Sequence, residues 1–134
     1  MKILGIEHVA IAVKNLEKES PFWSEVLGLK QTALEDVPSQ GVITDIYDTA
    51  RGKIELLKSK NLNSPIANFL KKNGSGIHHI CLEVEDINEA FDKMRRRNIR
   101  IIGDQITIGA EGYKVIFIHP SSAGGVLVEL AEKP

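Results

Sequence analysis

The phrase Gly76-Ile77-His78-His79-Ile80 decides how the chain is organised, because a near copy, Gly5-Ile6-Glu7-His8-Val9, lies 71 residues earlier. Each phrase is followed by alternating apolar residues, a polar pair and an amphipathic helical pattern. Each half then ends in a strand-like stretch that contains one glutamate. These stretches are Lys53-Ile54-Glu55-Leu56-Leu57 and Leu127-Val128-Glu129-Leu130-Ala131. We interpret the chain as one unit written twice, so that each half supplies one histidine and one carboxylate.

The length of 134 residues suits a single domain made of two fused half-size modules. We expect module one at about 3–58, a linking helix at about 62–74 and module two at about 76–132. Ser64-Pro65 opens the linking helix and Asn73-Gly74 closes it.

Charge and composition exclude several classes of function. A net charge of -1, from 17 basic and 18 acidic residues, and only 5% aromatic residues argue against a nucleic-acid partner. The single cysteine, Cys81, forms no internal disulfide and builds no cysteine zinc site. Because no apolar run approaches membrane-spanning length and no signal-peptide pattern precedes the first strand, we expect a soluble intracellular protein without a membrane partner. Its compartment would be the cytoplasm, or the mitochondrial matrix for a mature form lacking its presequence.

The first strand pattern, residues 5–13, has two faces of different size. The larger face carries Val9, Ile11 and Val13, and the smaller carries His8, Ala10 and Ala12. We expect the larger face to pack on a helix and the smaller one to line a concave space. Residues 76–84 repeat this arrangement, with His79 and Cys81 on the smaller face.

Helix and strand signals complete both modules. Ser20 as N-cap with Pro21 at the first helical position predicts a helix that ends at Gly28. Asp86 and Glu89 predict a capping box at the start of a later helix. The remaining strands are predicted at 29–36, 42–48, 53–58, 99–102, 113–119 and 126–131. Each half is thus βαβββ, which predicts an α+β fold with two curved sheets around a shared cavity.

The paired polar residues predict a metal site. If a pseudo-twofold axis relates the halves, His8 faces His79 and Glu55 faces Glu129, and one divalent ion on the axis satisfies all four. A lone histidine or glutamate in a strand is usually only a satisfied polar residue. Four of them at matching positions, opposite branched apolar neighbours, are costly to bury unless something binds them. We interpret His78 as structural. For His119, which ends a strand before Pro120, we expect a turn hydrogen bond rather than a ligand role, with contact to the pocket as the alternative.

Five stretches carry recognisable motifs, namely residues 5–13, 54–57, 64–70, 76–80 and 124–130. They resemble the methylmalonyl-CoA epimerase family of the vicinal oxygen chelate superfamily, and the likeness covers nearly the whole chain. The stretches 64–70 and 108–112, with His119-Pro120 and Gly124-Gly125, point to the epimerases rather than to the superfamily in general. Paired βαβββ modules are the fold that this resemblance implies.

The resemblance implies interconversion of (R)- and (S)-methylmalonyl-CoA, a step of propionate metabolism, through a metal-stabilised enolate. It implies His8, Glu55, His79 and Glu129 as metal ligands, with Glu55 the least secure because some relatives carry glutamine there. Cobalt is the ion that the family suggests, while manganese, nickel, zinc and magnesium are chemically acceptable. An acyl-CoA is the expected substrate, and family likeness together with exposed strand edges favours a homodimer.

The acid/base groups are assigned less completely. Glu129 is the first candidate for one role. Some family members carry a second glutamate on the strand after the Gln-Gly turn, and alignment on Gln40-Gly41 places Thr44 there. Thr44 is not a base, and Asp45 has the opposite strand parity. The second role therefore falls to Glu55 or to a bound water.

Two other functions use the same fold. A glyoxalase I-type lactoylglutathione lyase would use the same four ligands to move a proton in a glutathione hemithioacetal. A metal-independent small-molecule binding protein would not need all four, so the complete set of two histidines and two glutamates counts against it.

Overall fold

The computed structural model describes residues 1–134, which form eight strands, three α-helices and several short turns. The strands are β1 (Ile3–Ala12), β2 (Lys30–Val37), β3 (Val42–Asp48), β4 (Lys53–Ser59), β5 (Gly76–Val84), β6 (Thr107–Ile108), β7 (Lys114–Ile118) and β8 (Val128–Glu132). The helices are α1 (Leu16–Pro21), α2 (Pro65–Asn73) and α3 (Ile87–Arg96). No helix among them combines the length and the apolar character that crossing a bilayer requires.

The chain divides into two compact units. The first unit is His8–His78, and the second unit consists of Met1–Glu7 with His79–Pro134. The divisions fall inside β1 and β5, so the units differ from the predicted modules at about 3–58 and 76–132. The predicted module boundaries describe where the sequence repeat begins and ends, and they stay a prediction.

Both units use one strand topology. In the first unit, β3 lies between β2 and β4 and is antiparallel to both, and β4 pairs in parallel with β1. In the second unit, β7 lies between β6 and β8 and is antiparallel to both, and β8 pairs in parallel with β5. The two halves therefore fold with the same succession and direction of strands, in agreement with the repeat in the sequence.

The larger apolar face of each repeated strand packs as predicted. In the first unit, Val13 belongs to a buried cluster with Tyr47 and Leu56, against which Leu16 and Trp23 pack. In the second unit, Val84 lies in a cluster with Ile87 and Ala90 of α3. Burial of these side chains between helix and strand leaves the opposite face, which carries the histidines, for other contacts.

Side-chain caps set the starts of the helices. Asn15 Oδ1 accepts a hydrogen bond of 3.0 Å from the Lys18 N–H at the start of α1. Ser64 Oγ accepts one of 3.1 Å from Ala67, and Asp86 caps α3 by accepting from the N–H groups of its first turn. The predicted caps at Ser64 and Asp86 are confirmed. The reciprocal half of the predicted capping box is not formed, because Glu89 Oε1 accepts a hydrogen bond of 2.6 Å from the Met1 ammonium group instead.

The prediction that Ser20 caps a helix beginning at Pro21 is wrong. Helix α1 begins at Leu16 and includes Pro21, and the Ser20 hydroxyl donates to the Leu16 carbonyl oxygen at 2.6 Å. Proline lacks an N–H, so it cannot continue the regular hydrogen-bond ladder. The chain then makes a wider π-type turn in which the Leu27 N–H reaches the Phe22 carbonyl oxygen at 2.9 Å.

The predicted strand at 99–102 is also wrong. Within it only Ile101 pairs, through a single bridge to Ile118. Gly103 and Asp104 adopt left-handed backbone angles, with φ of 75° and 50°, and they interrupt an extended chain at this point. On the side of β7 away from β8, the paired strand is the two-residue β6 instead.

Candidate functional site

A buried histidine–carboxylate pair lies in the first unit. In the parallel pairing of β1 with β4, His8 lies opposite Lys53 and Ala10 lies opposite Glu55. Glu55 is therefore two residues beyond the partner of His8 and on the same face. His8 Nδ1 lies 2.9 Å from Glu55 Oε2, and the two side chains are only 6% and 5% exposed.

The second unit contains an equivalent pair. The Ile80 N–H bonds to the Leu127 carbonyl oxygen, and Cys81 lies opposite Glu129 in the parallel pairing of β5 with β8. Glu129 thus has the same diagonal relation to His79 as Glu55 has to His8. His79 Nε2 lies 3.1 Å from Glu129 Oε1, with 4% and 5% of these side chains exposed.

The structure thus brings together His8 with Glu55 and His79 with Glu129. A buried carboxylate is costly unless positive charge or hydrogen bonds compensate it. Each pair supplies imidazole nitrogen and carboxylate oxygen, a donor set that borderline divalent ions such as zinc accept and that cobalt, nickel and manganese share. The repeated burial of this donor set fits a site for a metal ion.

The ring of Phe117 supports the second pair. Phe117 lies opposite Glu129 in the pairing of β7 with β8, and its ring meets the His79 imidazole edge to face, at 5.4 Å between centroids and 84° between planes. Aromatic contacts of this geometry restrict the orientation of both rings. In the first unit the place of Phe117 is taken by Ile46, which lies opposite Glu55.

Thr44 and Asp45 point to opposite sides of β3, as their parity predicts. Thr44 shares the face of Ile46 and hence of Glu55. The Asp45 carboxylate accepts hydrogen bonds from the Tyr47 hydroxyl, at 2.7 Å, and from the Gln31 side-chain amide. Burial, with the hydrogen bond and charge of Asp45, raises the pKa of Tyr47 to about 12. Asp45 is therefore tied into the helix-facing side of the sheet.

The remaining histidines take the structural roles that were predicted. The His78 ring packs edge to face against Phe69, with 5.0 Å between centroids and 83° between planes. His119 Nδ1 accepts a hydrogen bond of 3.0 Å from the Ser121 N–H in the turn after β7. Cys81 is fully buried in a cluster of the second unit, which agrees with a core residue.

Sequence reasoning did not single out Glu7, although it is a buried carboxylate next to His8. Its Oε2 lies 3.0 Å from Lys133 Nζ, which also lies 3.5 Å from Glu83 Oε1. The hydrogen bond to Glu7 raises the pKa of Lys133. The ammonium compensates the buried charge, and no local pattern could predict a partner near the other end of the chain.

The chain is similar over most of its length to proteins of known family. Residues 7–117 match the Glyoxalase/Bleomycin resistance protein/Dioxygenase superfamily. The human mitochondrial methylmalonyl-CoA epimerase is 43% identical over 128 residues, which cover 95% of this chain and 73% of the relative. The ethylmalonyl-CoA/methylmalonyl-CoA epimerase of Cereibacter sphaeroides is 43% identical over 129 residues, which cover 95% and 96%.

A solved structure of a methylmalonyl-CoA epimerase has the same fold as this chain. A variant of the Streptomyces coelicolor methylmalonyl-CoA epimerase, in complex with 2-nitronate-propionyl-CoA, superposes with a TM-score of 0.91 at 27% identity. The match covers 98% of this chain and 99% of the other. Together with the superfamily match, it confirms the predicted α+β fold of paired βαβββ modules, the glyoxalase or vicinal oxygen chelate fold.

Proposed function

Because the chain belongs to the methylmalonyl-CoA epimerase family of the Glyoxalase/Bleomycin resistance protein/Dioxygenase superfamily, we propose that it interconverts (R)- and (S)-methylmalonyl-CoA. The observation that carries the proposal is the buried histidine–carboxylate pair at the same register in both units. A stereocentre held in a fixed orientation is inverted when one group removes the proton from one face and another group returns a proton to the opposite face. Each unit contributes one histidine and one glutamate, so groups of the same chemistry are available for both faces of the stereocentre.

We further propose that His8, Glu55, His79 and Glu129 together hold one divalent metal ion. The support is chemical, because each pair places imidazole nitrogen and carboxylate oxygen in a buried environment that favours a cation. Cobalt is the ion we propose first, and manganese, nickel, zinc or magnesium would accept part or all of the same donors. When bound, the ion supplies positive charge that stabilises negative charge on substrate oxygens, a contribution of several kcal/mol.

Proton transfer is assigned to the two glutamates. The α-proton of a thioester is weakly acidic, because the charge left by its removal spreads onto the carbonyl oxygen. We propose that Glu129 exchanges the proton on one face of the substrate, and that Glu55, or a water molecule held by it, acts on the other. A positioned acid or base contributes on the order of 10²–10⁴-fold to the rate. Both carboxylates are almost completely buried, so bulk water competes little for the proton.

Deuterium exchange tests the proposed reaction. The protein, loaded in turn with each candidate metal, is incubated with (R)-methylmalonyl-CoA in deuterated water, and α-deuterium uptake and formation of the (S) form are followed by mass spectrometry and chiral analysis. We expect both signals, and we expect a chelator to abolish them. A loaded protein that produces neither signal refutes the epimerase proposal.

The two alternatives are less well supported. The relatives reported above are epimerases of acyl-CoA substrates rather than glyoxalase I-type lyases. A metal-independent binding protein would not need a buried histidine–glutamate pair in each unit. Incubation with the glutathione hemithioacetal of methylglyoxal, under the same conditions, is expected to yield no lactoylglutathione.

We also propose that the protein is a homodimer that acts in the cytoplasm or the mitochondrial matrix. The apolar side chains of Ile3, Leu4 and Ile6 are exposed along the first half of β1, with Ile6 61% exposed. Exposed apolar residues clustered on a strand commonly mark an interface. Sedimentation equilibrium is expected to give twice the 14.8 kDa mass of the chain, and a monomer at micromolar concentration would exclude this assembly.

A further inference from the structure

One buried polar group in the first unit has no hydrogen-bond partner. The Oγ1 atom of Thr44 is enclosed by protein, and the residue is only 1% exposed. Buried hydroxyl groups in folded proteins nearly always bond to a neighbour or to an ordered molecule. An unpaired hydroxyl at this position destabilises the strand that carries it, so it calls for a physical reason.

Thr44 lies on the face of the sheet that carries the first histidine–carboxylate pair. In the antiparallel pairing of β3 with β4, Ile46 lies opposite Glu55 and Thr44 lies opposite Leu57. Thr44 is therefore the diagonal neighbour of Glu55 on one face, a relation that separates the Cα atoms by roughly 7–8 Å. A glutamate side chain can span this separation, yet the Thr44 hydroxyl makes no hydrogen bond to Glu55. A bound oxygen-bearing group can contact both side chains.

The second unit provides an internal comparison. There, Phe117 lies opposite Glu129 and Val115 lies opposite Ala131. Val115 thus occupies the place that Thr44 occupies in the first unit, and both residues are 1% exposed. Valine and threonine have nearly the same shape, so packing alone is served by valine. The hydroxyl is what distinguishes the first unit.

From this we infer that Thr44 is a substrate-binding residue whose hydroxyl donates a hydrogen bond to an oxygen of the acyl group of the bound CoA thioester. The inference rests on the proposed function for its choice of ligand. Thioester and carboxylate oxygens of a 2-carboxyacyl group both accept such a hydrogen bond. The Thr44 hydroxyl can donate it, because it donates to no other group. Thr44 would then hold the acyl group beside Glu55 without exchanging a proton itself.

Thr44→Val and Thr44→Ser separate binding from packing. Thr44→Val keeps the shape and removes the hydroxyl, so we expect an unchanged or higher melting temperature with kcat/KM for methylmalonyl-CoA lowered about 10-fold, the factor that one hydrogen bond supplies. Thr44→Ser keeps the hydroxyl and loses a buried methyl group. Thr44→Ser should have a lower melting temperature than the wild type and should retain kcat/KM within about 3-fold of it.

Binding measurements identify the oxygen. Titration calorimetry of wild type and Thr44→Val with malonyl-CoA and propionyl-CoA compares ligands with and without the carboxylate. Weaker binding of malonyl-CoA alone assigns the hydrogen bond to the carboxylate, and equal weakening of both assigns it to the thioester oxygen. Thr49→Val, which removes a hydroxyl from the hairpin between β3 and β4, is the matched control and should bind both ligands as the wild type does.

The outcomes distinguish this inference from the proposed function. If Thr44→Val binds both ligands and turns over as the wild type does, the role of Thr44 is refuted while the epimerase proposal stands. If the wild type exchanges no deuterium, the epimerase proposal fails, and the calorimetry still decides whether Thr44 contacts an acyl-CoA.

Discussion

Replacement of Tyr47 by phenylalanine tests how the strand behind the first histidine–carboxylate pair is held. Tyr47 is 1% exposed, and its hydroxyl donates to the buried Asp45 carboxylate at 2.7 Å. A hydrogen bond to a charged group contributes about 1.5–3 kcal/mol to stability. Burial first, and then the hydrogen bond and charge of Asp45, raise the pKa of Tyr47 from near 10 to about 12, which corresponds to roughly 2.7 kcal/mol of preference for the neutral phenol over the phenolate in the folded chain. The hydrogen bond by itself therefore predicts that Tyr47→Phe lowers the free energy of unfolding by about 1.5–3 kcal/mol at pH 8.

The pH dependence sharpens this test. Because the pKa of Tyr47 is higher in the folded chain than in the unfolded chain, its contribution is complete below pH 10 and is lost as the pH rises through about 12. At pH 11 roughly half of it remains, about 1.4 kcal/mol. Urea unfolding at pH 8 and pH 11 should therefore show the difference between wild type and Tyr47→Phe shrinking by about half. Tyr113→Phe, which removes a tyrosine hydroxyl from the second unit, serves as the control for loss of a tyrosine hydroxyl elsewhere in the chain. A difference that stays constant across this range, or a variant as stable as the wild type, would refute the role of the Asp45 hydrogen bond.

The remaining predictions concern the proposed metal ion and base. His8→Ala and His79→Ala should each weaken metal binding by at least about 100-fold, because each removes a ligand rather than an outer contact. Elemental analysis after dialysis checks this, with His119→Ala as a histidine control that keeps its metal, and full metal content in both ligand variants would contradict the site. Glu129→Gln should lower kcat by about 10²–10⁴-fold while the fold is retained. A variant with normal metal content and normal deuterium exchange would show that Glu129 is not the base.

Sequence reasoning succeeded wherever the signal was local or periodic. The two-residue alternation in the repeated strands predicted which face packs on the helices, and the caps at Ser64 and Asp86 followed from residues within one turn of each helix start. The opposite parity of Thr44 and Asp45 followed from the same alternation. Local pattern failed at Pro21, because Asn15 caps a helix that begins five residues earlier, and the Ser20 hydroxyl donates to the Leu16 carbonyl oxygen instead of capping.

The sequence by itself determined that the chain is a duplicated βαβββ unit and that each copy offers one histidine and one glutamate, because repeats and alternation are properties of neighbouring residues. Only the tertiary structure decided how these groups pair, since the diagonal contacts of His8 with Glu55 and of His79 with Glu129 depend on the register of parallel strands joined by long connections. The same holds for the burial of Glu7 against Lys133 and for the hydroxyl of Thr44. Whether a polar group finds a partner depends on residues distant along the chain, and no local pattern records them.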